Sequence, residues 1–311
     1  MQKKPIDGIT AGTIPSSLRW DRYLELCKPK VVLLIAFTAI VGMLLSTPGP
    51  LLAWELALFG TIGIALAAAS GAALNHLADR HIDAIMARTR MRPLPQGEVD
   101  ALAVLVFALG LGVASMCILY FLVNALTALL SFLSLIGYAV VYTLYLKRAT
   151  PQNIVLGGAA GATPPLLGWT AITGEIHVEA VLLFLIVFVW TPPHFWSLAI
   201  RRRKEYAGAG IPMLPVTHGV AFTKLQILIY TVLLTAVSLL PFVIGMSGLF
   251  YLLGAIALDI GFLRHAIILY RSESDRYAMK TFSYSIFYLS LLFVVLLADH
   301  YIRIVLQSLL V

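Results

Sequence analysis

Asn75, Asp79 and Asp83 recur every fourth residue in the segment Asn75-His76-Leu77-Ala78-Asp79-Arg80-His81-Ile82-Asp83. On a helix of 3.6 residues per turn this spacing gathers them into one stripe. Two carboxylates and an amide offer oxygen donors to a hard divalent cation. Mg²⁺ typically takes one or two carboxylates and fills its octahedron with water and substrate phosphate oxygens. Asp79 and Asp83 are therefore the candidate metal ligands, with Asn75 beside them. Arg88, Arg90 and Arg92 follow in the same stretch. The planar guanidinium fork matches phosphate oxygens. Acids for a metal beside arginines for an anion describe a site for a metal-bound diphosphate. Taken singly, the arginines also suit a plainer reading, as partners of the two acids and as topological anchors. Topology does not call for the acids.

A second polar stretch reads Trp190-Thr191-Pro192-Pro193-His194-Phe195-Trp196, then Arg201-Arg202-Arg203-Lys204-Glu205-Tyr206. Paired prolines remove backbone donors and clash with the preceding turn, so the sequence predicts a helix broken at Pro192 and Pro193. Irregular backbone at membrane depth lines a cavity or packs on protein. His194 is then either a cavity residue or a core histidine bonded to a carbonyl. Lys147 and Arg148 lie between these stretches and are further candidates for the diphosphate. Gly157 to Ala162 is a run of small residues, which lets membrane helices approach closely. Pro164-Pro165 predicts a second broken helix. Asp259 is a lone acid in an apolar run, either paired structurally with Arg264 or His265 or functional.

The elements that must position these residues follow from composition. Of 311 residues, 60% are hydrophobic and 12% charged. A soluble domain has about 25% charged residues, so a soluble enzyme, a disordered chain and a secreted disulfide scaffold are all excluded. Cys27 and Cys117 lie in or beside apolar segments without metal-binding spacing and read as packing residues. A membrane helix needs about 20 apolar residues. The apolar runs predict nine helices, near 31–46, 52–74, 101–119, 123–145, 153–172, 179–198, 225–243, 249–270 and 281–298.

Charge provides an independent check. Lys and Arg favour the cytoplasmic side. With the N-terminus inside, the inner segments are 1–30, 75–100, 146–152, 199–224 and 271–280. Together with Arg264 these hold 21 of the 22 basic residues, and only Arg303 falls elsewhere. The formal net charge of +7 thus reports topology rather than a nucleic-acid partner. No signal peptide is expected, because the first apolar run starts only after a basic N-terminal segment. The expectation is an all-α membrane protein, nine transmembrane helices around a central cavity, forming one domain over 1–311. Residues 1–20 are expected to be a mobile cytoplasmic tail.

Asn75-x-x-x-Asp79-x-x-x-Asp83 at the end of the second helix of such a protein resembles the UbiA-type intramembrane prenyltransferases. Asn75–Gly97, Tyr142–Gly174, Trp190–Pro215 and Phe282–His300 carry the resemblance, which covers nearly the whole chain after residue 20. The Pro-Pro-His-Phe-Trp and Gly-Ile-Pro-Met-Leu-Pro segments are more specific and are similar to the branch that farnesylates protoheme IX. The resemblance implies transfer of farnesyl from farnesyl diphosphate to a vinyl group of heme b, giving heme O and diphosphate with Mg²⁺ as cofactor. Heme b is then a substrate.

The same resemblance implies roles for particular residues. Asn75, Asp79 and Asp83 are catalytic, and Asp79 and Asp83 hold the metal. Arg88, Arg90, Arg92, Lys147 and Arg148 bind the diphosphate, and His194 faces the heme. Phe195, Trp196 and Tyr206 line either tail or ring. Glu205 stands where the family commonly has Asp, and relatives use acids in that loop to help hold a metal. A bacterial inner membrane is implied, with the active site on the cytoplasmic side, and the product would suit a downstream heme A synthase. Three other classes share some features. An ion-coupled transporter also has intramembrane acids, but near the midplane. A relative with an aromatic quinone-precursor acceptor would share the metal stripe. A heme-binding assembly protein would need no stripe.

Overall fold

The computed structural model describes residues 20–47 and 53–310. The expected tail up to residue 19, and most of the outer turn near 47–51, lie outside the described residues. Of the described residues 84% are helical, and no strand occurs among them. Helices α1 (Trp20–Leu26), α2 (Pro29–Leu45), α3 (Trp54–Ile85), α4 (Ala101–Leu122) and α5 (Ala125–Ile136) come first. A π-helix, Gly137–Leu146, continues α5 into α6 (Lys147–Ala149). Then come α7 (Asn153–Ala162), α8 (Pro164–Thr173), α9 (Val178–Arg201), α10 (Arg203–Gly208), α11 (Leu214–Thr217), α12 (Gly219–Val243), α13 (Leu249–Arg271) and α14 (Arg276–Leu310).

Helices occupy all nine predicted stretches, but length alone gives a smaller number of spans. Seven helices are long and apolar enough to cross a membrane, or eight if α1 and α2, bent by 54°, count as one span. The remaining expected helix is the pair α7 and α8. It is interrupted where Pro164 follows Thr163, and each piece has ten residues. The break expected at Pro164-Pro165 is present.

The break expected at Pro192 and Pro193 is not. Helix α9 runs unbroken from Val178 to Arg201 with both prolines inside it. Hydroxyls flank the prolines: Thr191 Oγ1 donates to the Val187 carbonyl at 2.8 Å, and Ser197 Oγ to the Pro193 carbonyl at 2.7 Å. Ser and Thr side chains together with neighbouring helices make proline tolerable in membrane helices.

Local chemistry sets several boundaries. The Asp100 side chain caps α4 by accepting from the Leu102 and Ala103 amides. Asn124 caps α5 by accepting from Thr127 N and ties it to α8 by donating to the Thr170 carbonyl. Association of apolar helices in lipid depends on close packing and interhelical hydrogen bonds. Where α2 crosses α8, Gly42 meets the Pro165 carbonyl and Gly168 meets the Ala39 carbonyl. A Cβ at either glycine would fall within 2.0 Å of a backbone oxygen. Ser70 and Ser115 bridge α3 and α4 by donating to the Ala108 and Gly63 carbonyls.

Asp259 departs from expectation. It bonds to neither Arg264 nor His265. Ser238 donates to it at 2.8 Å and Tyr288 at 2.7 Å, which joins α12, α13 and α14. Arg303, the basic residue outside the inner segments, donates to the carbonyls of Gly245 and Met246 in the turn between α12 and α13.

Candidate active site

A cavity of about 420 Å³ lies among α2, α3, the π-helix, α7 and α9. Its walls are mostly apolar or small: Ile35, Ile64, Ala67, Gly158, Gly161 and Leu167 are among them. Lys28, Gly71, Ala72, Tyr138 and Tyr142 line it toward the end where α3 carries its acids.

Helix α3 continues past the cavity for more than two turns, and this extension carries the polar stripe. Asn75, Asp79 and Asp83 are all buried. Asp79 Oδ2 accepts from Lys147 Nζ at 2.6 Å and from Asn75 Nδ2 at 2.8 Å. Asp83 Oδ2 accepts from Arg92 Nη1 at 2.6 Å. Asn75 Oδ1 accepts from Lys28 Nζ at 2.7 Å, and Asn75 Nδ2 also donates to Thr143 Oγ1 at 3.2 Å. Three cations, Lys28, Arg92 and Lys147, thus surround two carboxylates. The surplus of positive charge favours a multiply charged anion.

Neither carboxylate lines the cavity itself. Asp79 reaches it through neighbours: Asn75, its hydrogen-bond donor, is bonded to Lys28, a lining residue, and Gly71 and Ala72 stand one turn earlier on α3. Among the described residues no three His, Cys, Asp or Glu side chains converge as a metal cage. An Mg²⁺ held by one or two carboxylates plus substrate phosphate needs no such cage. Asp79 Oδ1 is buried without a hydrogen-bond partner. An orphaned carboxylate oxygen beside an amide and a second acid on one helix face is an oxygen donor set that fits Mg²⁺.

The remaining expected residues separate into groups. Arg88 and Arg90 are exposed on the loop after α3, and Arg148 donates to the Ala78 carbonyl at 3.3 Å. Glu205 and Tyr206 lie on α10. Glu205 is 3.7 Å from Arg202, and its Oε2 has no hydrogen-bond partner. No hydrogen bond or ion pair among the described residues joins it to Asp79 or Asp83. Burial pushes the Tyr206 phenol above its ordinary value, opposed by Arg88 and Arg202 and reinforced by Glu205. Met86, at the start of the first loop, packs in one core with Trp196, Ile200 and Ile211, which puts the first and second loops side by side. Phe195 lines the cavity, whereas Trp196 and Tyr206 pack in a separate core with Ile200, Ile211 and Met213.

His194 lines the cavity although the helix around it is intact. Its ring stacks between Trp190, at 4.2 Å, and Phe282, at 4.5 Å. Ser285 Oγ donates to the Phe282 carbonyl at 2.6 Å and lies 2.7 Å from His194 Nδ1. Ser285 thus holds the ring from its Nδ1 side, which leaves the Nε2 side unengaged by it.

Lys28, Thr143, Tyr138, Tyr142 and His76 join the site without having been expected there. His76 is buried with both ring nitrogens unpartnered. Lys28 alone among non-glycine residues described has positive φ, at 51°. That left-handed setting costs about 1–3 kcal/mol and tends to persist where surroundings enforce it, often at functional sites. Lys28 precedes Pro29 and the first apolar run, a placement that also suits a simple inside anchor. Its backbone strain and its reach to Asn75 are visible only in three dimensions.

The UbiA prenyltransferase family model matches residues 35–292, and the chain belongs to that family. It is an enzyme, a prenyltransferase of the membrane. Among curated relatives it is 66% identical to the protoheme IX farnesyltransferase of Thioalkalivibrio sulfidiphilus, over 91% of this chain and 94% of the other. It is 63% identical to that of Nitrosococcus oceani, over 91% and 94%. Among solved structures it superposes on a digeranylgeranylglyceryl phosphate synthase with TM-score 0.78 at 20% identity, covering 91% and 98%. A UbiA homolog from Archaeoglobus fulgidus bound to DMAPP and Mg²⁺ follows at TM-score 0.60 and 16% identity, covering 88% and 99%. These two likenesses show the fold.

Proposed function

We propose that this chain transfers the farnesyl group of farnesyl diphosphate to a vinyl group of protoheme IX (heme b), giving heme O and diphosphate. The observation that carries the reading is the cluster of Lys28, Arg92, Lys147, Asp79 and Asp83 at the end of an apolar cavity. Relatives named protoheme IX farnesyltransferase at 66% and 63% identity support the acceptor. The Archaeoglobus homolog bound to DMAPP and Mg²⁺ supports the metal.

Asp79 and Asp83 would hold Mg²⁺, with Asn75 orienting the diphosphate beside them. When bound, Mg²⁺ supplies Lewis-acid neutralisation of the diphosphate charge. Lys28, Arg92 and Lys147 receive the diphosphate oxygens and stabilise the charge that grows on them as the allylic C–O bond breaks. Arg88, Arg90 and Arg148 guide the anion inward from the loops. The apolar walls keep water from the allylic cation until the vinyl carbon attacks it. Water then adds to the resulting carbocation and loses a proton, which the released diphosphate accepts, leaving the product's hydroxyl. His194, locked by Ser285, turns Nε2 toward the heme. Tyr206, packed behind the cavity, anchors the second loop, and Glu205 stands on that loop in reserve as a further acid.

The chain acts as one integral-membrane unit of nine spans. Its N-terminus and active site face the cytoplasm of a bacterial inner membrane, and its product passes to a heme A synthase. Incubating the purified protein with heme b, farnesyl diphosphate and Mg²⁺ tests the reaction. Mass analysis is expected to show a heme heavier by one farnesyl and one hydroxyl group. Unchanged heme, with an aromatic quinone precursor farnesylated in its place, overturns the acceptor.

A further inference from the structure

Ten consecutive residues, Gly137–Leu146, form a π-helix. Such helices are rare and occur mostly as single-turn bulges, often at functional sites. The wider turn, about 4.4 residues against 3.6, changes which side chains share a face. Tyr138 and Lys147 are nine residues apart. That separation is about two whole turns of a π-helix but two and a half turns of an α-helix. Here the two residues share a face: Tyr138 lines the cavity, and Lys147 Nζ sits 2.6 Å from Asp79. An α-helix of the same sequence would set them on opposite faces. The wide register closes where Lys147 N–H donates to the Tyr142 carbonyl, five residues back.

Thr143 occupies the middle of this segment, fully buried. Its Oγ1 donates to the Tyr138 carbonyl at 2.7 Å. A hydroxyl has one proton, so that oxygen has only lone pairs left to offer. Asn75 Nδ2 donates to one of them at 3.2 Å and to Asp79 Oδ2 at 2.8 Å. With both acceptors on the amide nitrogen, Asn75 Oδ1 is turned to the Lys28 ammonium at 2.7 Å. The chain of bonds runs from a backbone carbonyl of the π-helix to the oxygen that Asn75 presents.

We infer that Thr143 is a positioning residue, held in place by the π-helix, whose hydroxyl fixes the Asn75 amide so that its oxygen faces the cation-rich end of the cavity. The inference rests on the reading of Asn75, Asp79 and Asp83 as the metal-diphosphate site. Groups that orient a metal site from behind typically change metal affinity by about 10- to 100-fold when removed. A hydroxyl serving only its own helix would not touch that affinity.

The test compares the full chain in lipid nanodiscs with Thr143→Val, which keeps the shape and loses the hydroxyl, and Thr143→Ser, which keeps the hydroxyl. One readout is Mn²⁺ affinity in the presence of inorganic pyrophosphate, from the electron paramagnetic resonance signal of the free ion. The other is steady-state farnesylation of heme b. Thr143→Val is expected to weaken Mn²⁺ binding by about tenfold. It should lower kcat by a similar factor while KM for heme b stays unchanged. Thr143→Ser is expected to stay within about twofold of the parent in both readouts. Parent-like Mn²⁺ affinity in Thr143→Val overturns the inference, as does a Ser variant as impaired as the Val variant. The binding readout does not depend on the acceptor. A parent chain that binds Mn²⁺ with pyrophosphate but yields no farnesylated heme overturns the acceptor assignment alone, and the affinities still decide Thr143. A parent chain that binds no Mn²⁺ overturns both.

Discussion

Asp79 and Asp83 are buried carboxylates, each held at 2.6 Å by a cation. Removing one partner of a buried pair leaves an uncompensated charge, which commonly costs 3–5 kcal/mol, whereas replacing both partners is often close to neutral. The pair Asp79–Lys147 is more deeply buried than Asp83–Arg92 and shows this best. Lys147→Gln is expected to lower stability by about 3 kcal/mol. The double variant Asp79→Asn with Lys147→Gln is expected to regain most of that loss and still make no heme O. Thermal unfolding in detergent and product analysis on the same samples separate the two effects. A double variant with normal turnover would reduce this pair to a structural role. Asp79→Ala and Asp83→Ala are expected to lower turnover by at least about 100-fold while the protein still accumulates in the membrane. Normal heme O from either variant removes the metal site.

At the scale of elements, two irregularities set the site. The π-helix turns Lys147 onto the face of Tyr138, and the left-handed Lys28 between α1 and α2 brings an ammonium to Asn75. Val141 lies in the π-helix, is largely exposed toward lipid and does not line the cavity. Deleting it shortens a ten-residue wide helix and shifts the register of everything after it by about 80° if the remaining nine residues rewind as α-helix. The deletion is expected to abolish farnesyl transfer. Val141→Ala, which removes more of the side chain's packing than of its backbone, should retain activity within about twofold. Equal activity in both variants would show that the register of Lys147 is unimportant. The fate of the prolines also belongs to this scale. Pro192 and Pro193 sit in an unbroken α9, while Pro164 starts a new helix after Thr163, so proline alone does not set helix ends in this bundle.

For the whole molecule, the distribution of charge and the arrangement of helices make one statement about sides. The acids of α3, the loop arginines and α10 gather at one end of the bundle. Arg303 binds the turn between α12 and α13 at its own end of α14. With the N-terminus inside, a single cysteine at Lys204 is expected to react with an impermeant thiol reagent only from the cytoplasmic side. One at Met246 should react only from the outer side. Cys27 and Cys117 are replaced beforehand. Labelling of both positions from one side would overturn the proposed topology.

The stripe of Asn75, Asp79 and Asp83 was legible from sequence because a helical period is a local property, and polar residues in an apolar chain stand out. The apolar helices were legible for the same reason: chain length against bilayer thickness needs no tertiary contact. Family membership followed from the motifs. Other features depended on distant parts of the chain. The π-helix leaves no mark in hydropathy, since an apolar run reads alike in either register. The prolines of α9 misled because hydroxyls and packing elsewhere in the bundle support the helix across them. Lys28 counted only as one of the inner basic residues, the structural pairing expected of Asp259 was with Arg264 or His265 rather than with Ser238 and Tyr288, and Trp196 and Tyr206 were grouped with the cavity although they pack behind it. Which cation meets which acid was decided by helices up to 68 residues apart in sequence, and such contacts exist only once the bundle has closed.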